Sequence, residues 1–524
     1  MIIDTTSATL DPVVNCDVCI VGAGAAGITI ARELIGGHLT VALFESGGLM
    51  PDRRTQALNR GSYNNPYDHA LEDSQSRSFG GTTNLWSGWC RPLDESDFTR
   101  RDWIPHSGWP LSIETLQPWY NKARRVCELD DENPATLADR GPWPFDQRRL
   151  STRRFDLSPP TRFGQKFRAE LASSPNVRVC LNANAVAFGT DESTRRIESI
   201  EFKTLSGKSI LATARVFILA AGGIENPRLL LSSGATRRCA LGNENDLVGR
   251  FYMNHLAFFS AEFRESDTCP SVAFYTTPFD GRPATAGRHS GAASHPESVM
   301  RERKLLGAVL RFVHRPSYAA EPAFYSSAVA SARIMATSLL NARVPGRALM
   351  HASRSMKGGV RVTRFAVRVL AHSVKPKSKL LVRCIAESAP DPDNRVTLSS
   401  RPDALGQPTA NVRWEIGEAE RKSVRVLHTA FATEISRLGF GKVSPIHPDF
   451  LPNSLTGASH HIGTTRMHDS PRHGVVDRDC RVHDIANLFI SGSSVFATSG
   501  YANPTLTIIA LSLRLAERIK SILR

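Results

Sequence analysis

The chain has no apolar run approaching the roughly 20 residues that a bilayer-spanning helix needs, so no crossing segment is expected anywhere in its 524 residues. Its first residues also lack a basic stretch followed by an apolar one, so no signal peptide is expected either. Cysteine is sparse and unpaired in pattern: nine residues, an odd number, at scattered positions. That usage suits a reducing compartment and points to a cytoplasmic protein, peripheral at the inner membrane surface at most. Cys16 and Cys19 form a CxxC, but a strand places residues three apart on opposite faces, which excludes a shared redox or metal role. His468, His473 and His483 lack the spacing or flanking carboxylates of a metal site, so no metal is expected. Acidic residues vanish between Glu321 and Glu387, where twelve Lys and Arg stand. Much of the formal net charge of +15 therefore belongs to one segment.

What the sequence does contain starts at Asp17. Val18-Cys19-Ile20-Val21 is a short apolar run of the kind that forms a buried parallel strand. It enters Gly22-Ala23-Gly24-Ala25-Ala26-Gly27, a GxGxxG turn, followed by helix-like Ala25 to Leu34 and a second strand from Leu39 to Phe44. Gly22 makes the tight turn, Gly24 admits a pyrophosphate to the backbone, and Gly27 lets helix and strand pack closely. The helix N-terminus presents free N–H groups to phosphates. Glu45, eighteen residues beyond Gly27, stands where a carboxylate accepts hydrogen bonds from a ribose 2′,3′-diol. The carboxylate argues against NADP; FAD and NAD are not separated by these residues.

A second glycine loop, Phe79-Gly80-Gly81-Thr82-Thr83-Asn84-Leu85-Trp86, exposes backbone N–H groups in the same manner. Together with Ser107-Gly108-Trp109-Pro110 it makes the chain resemble the glucose–methanol–choline (GMC) oxidoreductases, FAD-dependent enzymes that oxidise alcohols. The resemblance implies that Gly80, Gly81, Thr82 and Asn84 lie against FAD. Several members carry a histidine in this loop that is bonded to the flavin. Leu85 aligns there and cannot form that bond, so the resemblance implies noncovalent FAD. It also likens the strand near Val186 to the one that reads the adenine, and Val216 to Leu231, with Ala221 and Gly222, to the second dinucleotide-facing element. A plain βα unit requires the same residues, and either reading puts the segment in the FAD domain. Asp246-Leu247-Val248-Gly249-Arg250 and Asn254-His255 resemble the segment that closes this domain.

The last 65 residues hold His460-His461-Ile462-Gly463-Thr464, then Ser491 to Ser494, then Asn503-Pro504-Thr505 before a final helix. Proline suits the first turn of a helix, and the positive end of this one, with Ser493, Pro504 and Thr505, is expected at the flavin's pyrimidine side. Alcohol oxidation needs a base for the hydroxyl proton and a second group to hold the oxygen. By resemblance the base is His460 and its partner Asn503; His461 falls at a variable position of the motif.

The expected architecture is an α/β FAD-binding Rossmann-type domain plus an α+β substrate domain with an antiparallel sheet. The first comprises 13–255 and 452–524, with inserted helical and loop segments at about 62–176; the second comprises 256–451. The expected reaction is oxidation of the CH–OH group of a sugar, polyol or glycoside, with oxygen, a quinone or a protein taking the electrons. Two rivals stand beside it: a lyase with non-redox FAD, and a flavoprotein that docks on a membrane or partner through 322–386. In that segment Arg354, Lys357, Arg361, Arg364 and Arg368 fall on one stripe of a helical wheel, which fits either an anionic membrane surface or an ordinary solvated face. No recognition motif accompanies the charge, so nucleic acid is not an expected partner.

Overall fold

Val18 to Val21 is almost wholly buried and forms the end of the strand Val13–Val21, the middle of a mixed eight-stranded sheet. This is the structure of a computed structural model, and it describes residues 1–7, 11–64, 70–129, 142–159, 161–236, 239–277, 289–316, 331–332, 335–336, 348–360, 362–363, 366–367, 378–452 and 457–524. Val13–Val21 pairs in parallel with Val41–Phe44 on one side and Ser209–Leu219 on the other. Beyond Val41–Phe44 lie Val177–Leu181 and then Ile2–Asp4, both also parallel. The C-terminal half of Ser209–Leu219 takes Leu488–Ile490 as a further parallel neighbour. Its first half pairs instead with the antiparallel strand Ile197–Lys203, which in turn pairs with Asn184–Thr190 at the sheet's edge. Helices cover the parallel part: Ala25–Glu33 packs on Thr505–Leu523, which packs on Ile113–Val126. Burial on both faces is why these strands read as unbroken apolar runs rather than alternating ones.

Val21, Phe44, Leu219 and Ile490 end at the same edge of this sheet. The residues that follow them are Gly22, Glu45, Ala220 and Ser491, so the motifs picked out in sequence converge at the carboxyl ends of parallel strands. In such sheets that edge is where ligands bind.

The second sheet runs Gly441–Pro445, Leu256–Glu265, Ser378–Ala386, Ala308–Pro316, His289–Ser294, Ser151–Leu157 and Trp89–Cys90, all antiparallel pairs, with Thr276–Thr277 attached in parallel. Alternation along its strands separates two faces. Leu310, Phe312, Val382 and Cys384 pack with Trp143 and with Leu427 and Phe431 of the helix Glu418–Arg437. Val309 and Ile385 lie with Trp89, Phe155 and Tyr501 instead.

Long-range pairing moves four segments away from the domain bounds read in sequence. Ile2–Asp4, ahead of residue 13, is an edge strand of the first sheet. Trp89–Cys90 and Ser151–Leu157, within the 62–176 insertions, belong to the second sheet. Ser62–Tyr63 pairs with Pro408–Arg413. Strands this short have no local signature that names their partner. Cys16 is partly exposed and Cys19 buried, and both are free thiols. Of the basic stripe, Arg354 and Lys357 sit on the helix Ala348–Lys357, while Arg361, Arg364 and Arg368 lie outside the described residues. Among the described residues no helix is long and apolar enough to cross a membrane, and no cluster of His, Cys, Asp or Glu is arranged to hold a metal.

The first turn tolerates no side chain at its third glycine. A Cβ on Gly27 would stand 1.9 Å from the Gly22 carbonyl oxygen. Gly27→Ala should therefore destabilise the protein by at least ~2 kcal/mol and lower its bound flavin, read by urea denaturation and absorbance. An unchanged midpoint would show that the helix can slide away from the strand.

Candidate active site

A cavity of about 460 Å³ opens along the carboxyl edge of the first sheet, within the size range of small-molecule and cofactor sites. Gly22, Gly24, Glu45, Gly81, Thr82, Ala221, Gly222, His460, Ser493, Asn503, Pro504 and Thr505 all line it, and so does Leu85. Gly27, as expected of it, is spent on helix–strand packing and does not line the cavity. Three other residues expected there do not line it either. Gly80 donates its N–H to the Ala23 carbonyl (2.9 Å), joining the two glycine loops. Asn84 turns inward and donates to Ser78 Oγ (3.0 Å) and the Phe79 carbonyl (3.1 Å), bracing its own loop. Val186 sits at a bulge, where the pairing with Ile197–Lys203 slips, and Ala183, Asn184 and Ala185 line the cavity in its place. Sequence pattern located that strand but not its bulge.

Glu45 does more than face a ribose site. Its buried carboxylate accepts from the Ala23 N–H (2.8 Å) and from the Gly47 N–H (2.9 Å), so it ties the first glycine turn to its own loop. Each carboxylate oxygen can accept a second bond, which leaves capacity for a ligand hydroxyl.

At the other end of the cavity His255 and a main-chain carbonyl fix the proton on His460. His255 is fully buried, with Nε2 3.3 Å from the Ser499 carbonyl; a carbonyl only accepts, so Nε2 carries the hydrogen. Burial pushes the His255 pKa down to about 4, so the ring is neutral and its Nδ1 is an acceptor. His460 Nδ1 lies 2.9 Å from that atom and must donate to it. The remaining nitrogen of His460, Nε2, therefore carries no hydrogen and is an acceptor. Burial, then the neighbouring His255, His461 and Arg383, keep His460 well below the usual histidine pKa and so neutral. Asn254 Oδ1 accepts the His460 N–H (2.9 Å), placing the backbone from which the ring projects. Asn503 Nδ2 stands 3.4 Å from His460 Nε2, and Asn503 Oδ1 is buried without a partner. An imidazole acceptor and an amide donor thus stand side by side at this end of the cavity. His461 is different: its Nε2 is 2.8 Å from Ser74 Oγ and its Nδ1 2.8 Å from the Tyr252 hydroxyl. Both of its ring nitrogens are engaged, and it serves as a strut. Sequence reading found His460 and Asn503 but missed His255, whose only signal was its place beside Asn254.

The face of the second sheet that carries Val309 and Ile385 also carries Arg311 and Arg383, which are directly opposed across the strand pair. Arg311 is buried, with its guanidinium 3.8 Å over the ring of Trp89, a residue of the cavity wall. Among the described residues neither arginine has a hydrogen-bond or ion-pair partner, and Arg311 Nε is buried and unsatisfied. A desolvated cation–π contact returns about 2 kcal/mol, against several kcal/mol for desolvating the ion. Trp89 alone does not balance Arg311.

A parallel sheet with two glycine loops at its carboxyl edge is the frame of a dinucleotide-binding protein. The family described as FAD dependent oxidoreductase matches residues 17–320, and GMC oxidoreductase matches 390–512. The chain belongs to the FAD-dependent oxidoreductases and, within them, to the GMC oxidoreductases. It is 26% identical to the fructose dehydrogenase large subunit of Gluconobacter japonicus, over 96% of this chain and 98% of that one. It is 25% identical to the 2-methyl-1,2-propanediol dehydrogenase of Mycolicibacterium austroafricanum, over 96% and 95%. A fungal aryl-alcohol oxidase shares its fold, with a TM-score of 0.57, 15% identity and coverage of 97% and 99%. The residues present fit FAD: a glycine-walled trough at one end and the unsatisfied Asn503 amide at the other.

Glu45 gives this site a pH signature. Burial raises its pKa from 4.5 to about 7, against the opposing pull of the Gly47 and Ala23 N–H groups and Arg77. A folded-state pKa above the unfolded one means the folded protein holds the proton more tightly, so stability is full below pH 4.5 and is lost as pH rises through 7. The loss should be on the order of 3 kcal/mol in the flavin-free protein. Glu45→Gln should flatten that slope between pH 5 and 7.5 in urea denaturation. A slope that survives the substitution would assign it to another group.

Proposed function

We propose that this enzyme oxidises the CH–OH group of an alcohol to a carbonyl, with His460 as general base and Asn503 as its partner at the substrate oxygen. The observation that carries this reading is the tautomer of His460, whose Nε2 lone pair faces Asn503 while its Nδ1–H is fixed on His255. The alcohol hydroxyl donates to Nε2, and the Asn503 amide N–H holds the same oxygen so that the C–H is presented in one orientation. As the proton moves to Nε2, His255 Nδ1 accepts from the resulting imidazolium and keeps the ring in place. FAD bound along the glycine trough supplies the two-electron acceptor. The relatives act, by their names, on fructose and on 2-methyl-1,2-propanediol, which supports a polyhydroxy substrate here.

The cofactor is held without a covalent bond, on the ground that Leu85 stands at the loop position where attachment occurs in the family and has no atom for it. Acid precipitation should leave the yellow colour in the supernatant. Colour kept in the pellet would mean that another side chain is joined to the flavin.

Removing the base should separate chemistry from cofactor binding. His460→Ala should keep FAD, and anaerobic flavin reduction at saturating alcohol should slow by roughly 10²–10⁴-fold. Asn503→Ala should cost roughly ten- to a hundredfold, the worth of a hydrogen bond to a charged group, while leaving the proton acceptor in place. His461→Ala should cost less than either. Normal reduction in both His460→Ala and Asn503→Ala would place the base elsewhere.

A further inference from the structure

We propose that the alcohol oxidised here carries an oxyanion, a carboxylate or a phosphate, that is seated against Arg311 and Arg383. The inference rests on the reading of His460 as the base and narrows its substrate class.

Strand register supplies the first reason. Arg311 and Arg383 are cross-strand partners, so two positive side chains rise side by side from one face of the second sheet. Like charges directly opposed repel, and sheets normally avoid them. The second reason is burial. Arg311 is 5% exposed and stacks on Trp89, in the wall of the same cavity that holds His460. Arg383 lies near enough to His460 for its charge to be felt there.

The third reason is that the acids nearby are already committed. Glu387, fully buried, is held by both terminal nitrogens of Arg101. Asp94 pairs with Arg91, and Asp156 with Arg124 and His289. None is left for Arg311 or Arg383. A guanidinium stays charged, so this pair, Arg311 buried and Arg383 half-buried, calls for a counter-charge from the ligand. Planar guanidiniums match the two oxygens of a carboxylate or a phosphate. An alcohol with its hydroxyl at His460 and such a group at the arginines would be oriented at both ends.

The test compares substrates matched except for charge, using the holoenzyme in buffer free of competing anions. Anaerobic flavin reduction is followed with gluconate, glucose 6-phosphate and neutral glucitol. At least one anionic sugar should exceed glucitol in kcat/KM by ~10²-fold or more. Preference for gluconate assigns the site to sugar acids, and preference for glucose 6-phosphate assigns it to sugar phosphates. Arg311→Met and Arg383→Met should each shrink that preference by at least tenfold, mainly through KM. Each variant should melt no lower than the wild type, because an unbalanced buried charge has been removed.

Equal or better reduction by glucitol overturns the proposal and leaves the alcohol-oxidising reading standing. Should none of the sugars reduce the flavin, that reading fails for sugars, and the anion site is decided by binding alone. Gluconate or glucose 6-phosphate should then shift the visible flavin spectrum where glucitol does not, with the shift lost in the Arg→Met variants. No shift with either anion overturns the proposal on its own.

Discussion

Gly24 and Gly81 approach so closely that a Cβ on Gly81 would lie 2.7 Å from the Gly24 Cα. The Gly80 N–H then reaches the Ala23 carbonyl, and two loops almost 60 residues apart in the chain become one backbone surface. The rest of the site is referred to that surface. Glu45 clamps the first loop from behind, through two N–H groups. Ala221 and Gly222 continue the wall from the neighbouring parallel strand, and Ser493 and Thr505 complete it from the last ones. Side chains at the contact would separate the loops, and a trough lined by N–H groups would become a pair of unrelated turns.

Much of this was legible in sequence because the relevant signals are local. Gly22, Gly24 and Glu45 lie within one strand–turn–helix–strand unit, and the motif around His460 and the Asn503-Pro504 step are similarly contiguous. Errors arose where a position depends on a partner far along the chain. Asn84 was read as facing the cofactor, yet it is consumed by Ser78 and Phe79, because a tight loop must satisfy its own carbonyls. Val186 was displaced by a bulge that only the pairing with Ile197–Lys203 reveals. The two arginines were invisible for the same reason. Arg311 and Arg383 are over seventy residues apart, and nothing short of the register brings them together.

In the proposed mechanism, burial prepares His460 as a base without a carboxylate. Two neutral imidazoles in series end on a main-chain carbonyl, so the orientation of the reactive ring is settled by acceptors that carry no net charge. A carboxylate behind His460 would make it more basic but would also hold it protonated near neutral pH. Here burial and nearby positive charge keep the ring neutral, so the proposed base is a weaker one that needs no deprotonation before it acts.

The connectivity of the first sheet also has a consequence for how the chain is made. Its outermost parallel strand is Ile2–Asp4, and the strand beside Ser209–Leu219 is Leu488–Ile490. The opening glycine turn thus emerges from the ribosome hundreds of residues before its neighbours Ser493 and Asn503 exist. The second sheet, drawn from segments between Trp89 and Pro445, is interposed in that interval. Assembly of the cofactor trough therefore follows synthesis of the second sheet, and a nascent chain halted before Leu488 leaves the flank of Phe217 and Leu219 without its strand partner. An unpaired apolar strand edge of that kind is open to association with other chains until Leu488–Ile490 takes its place.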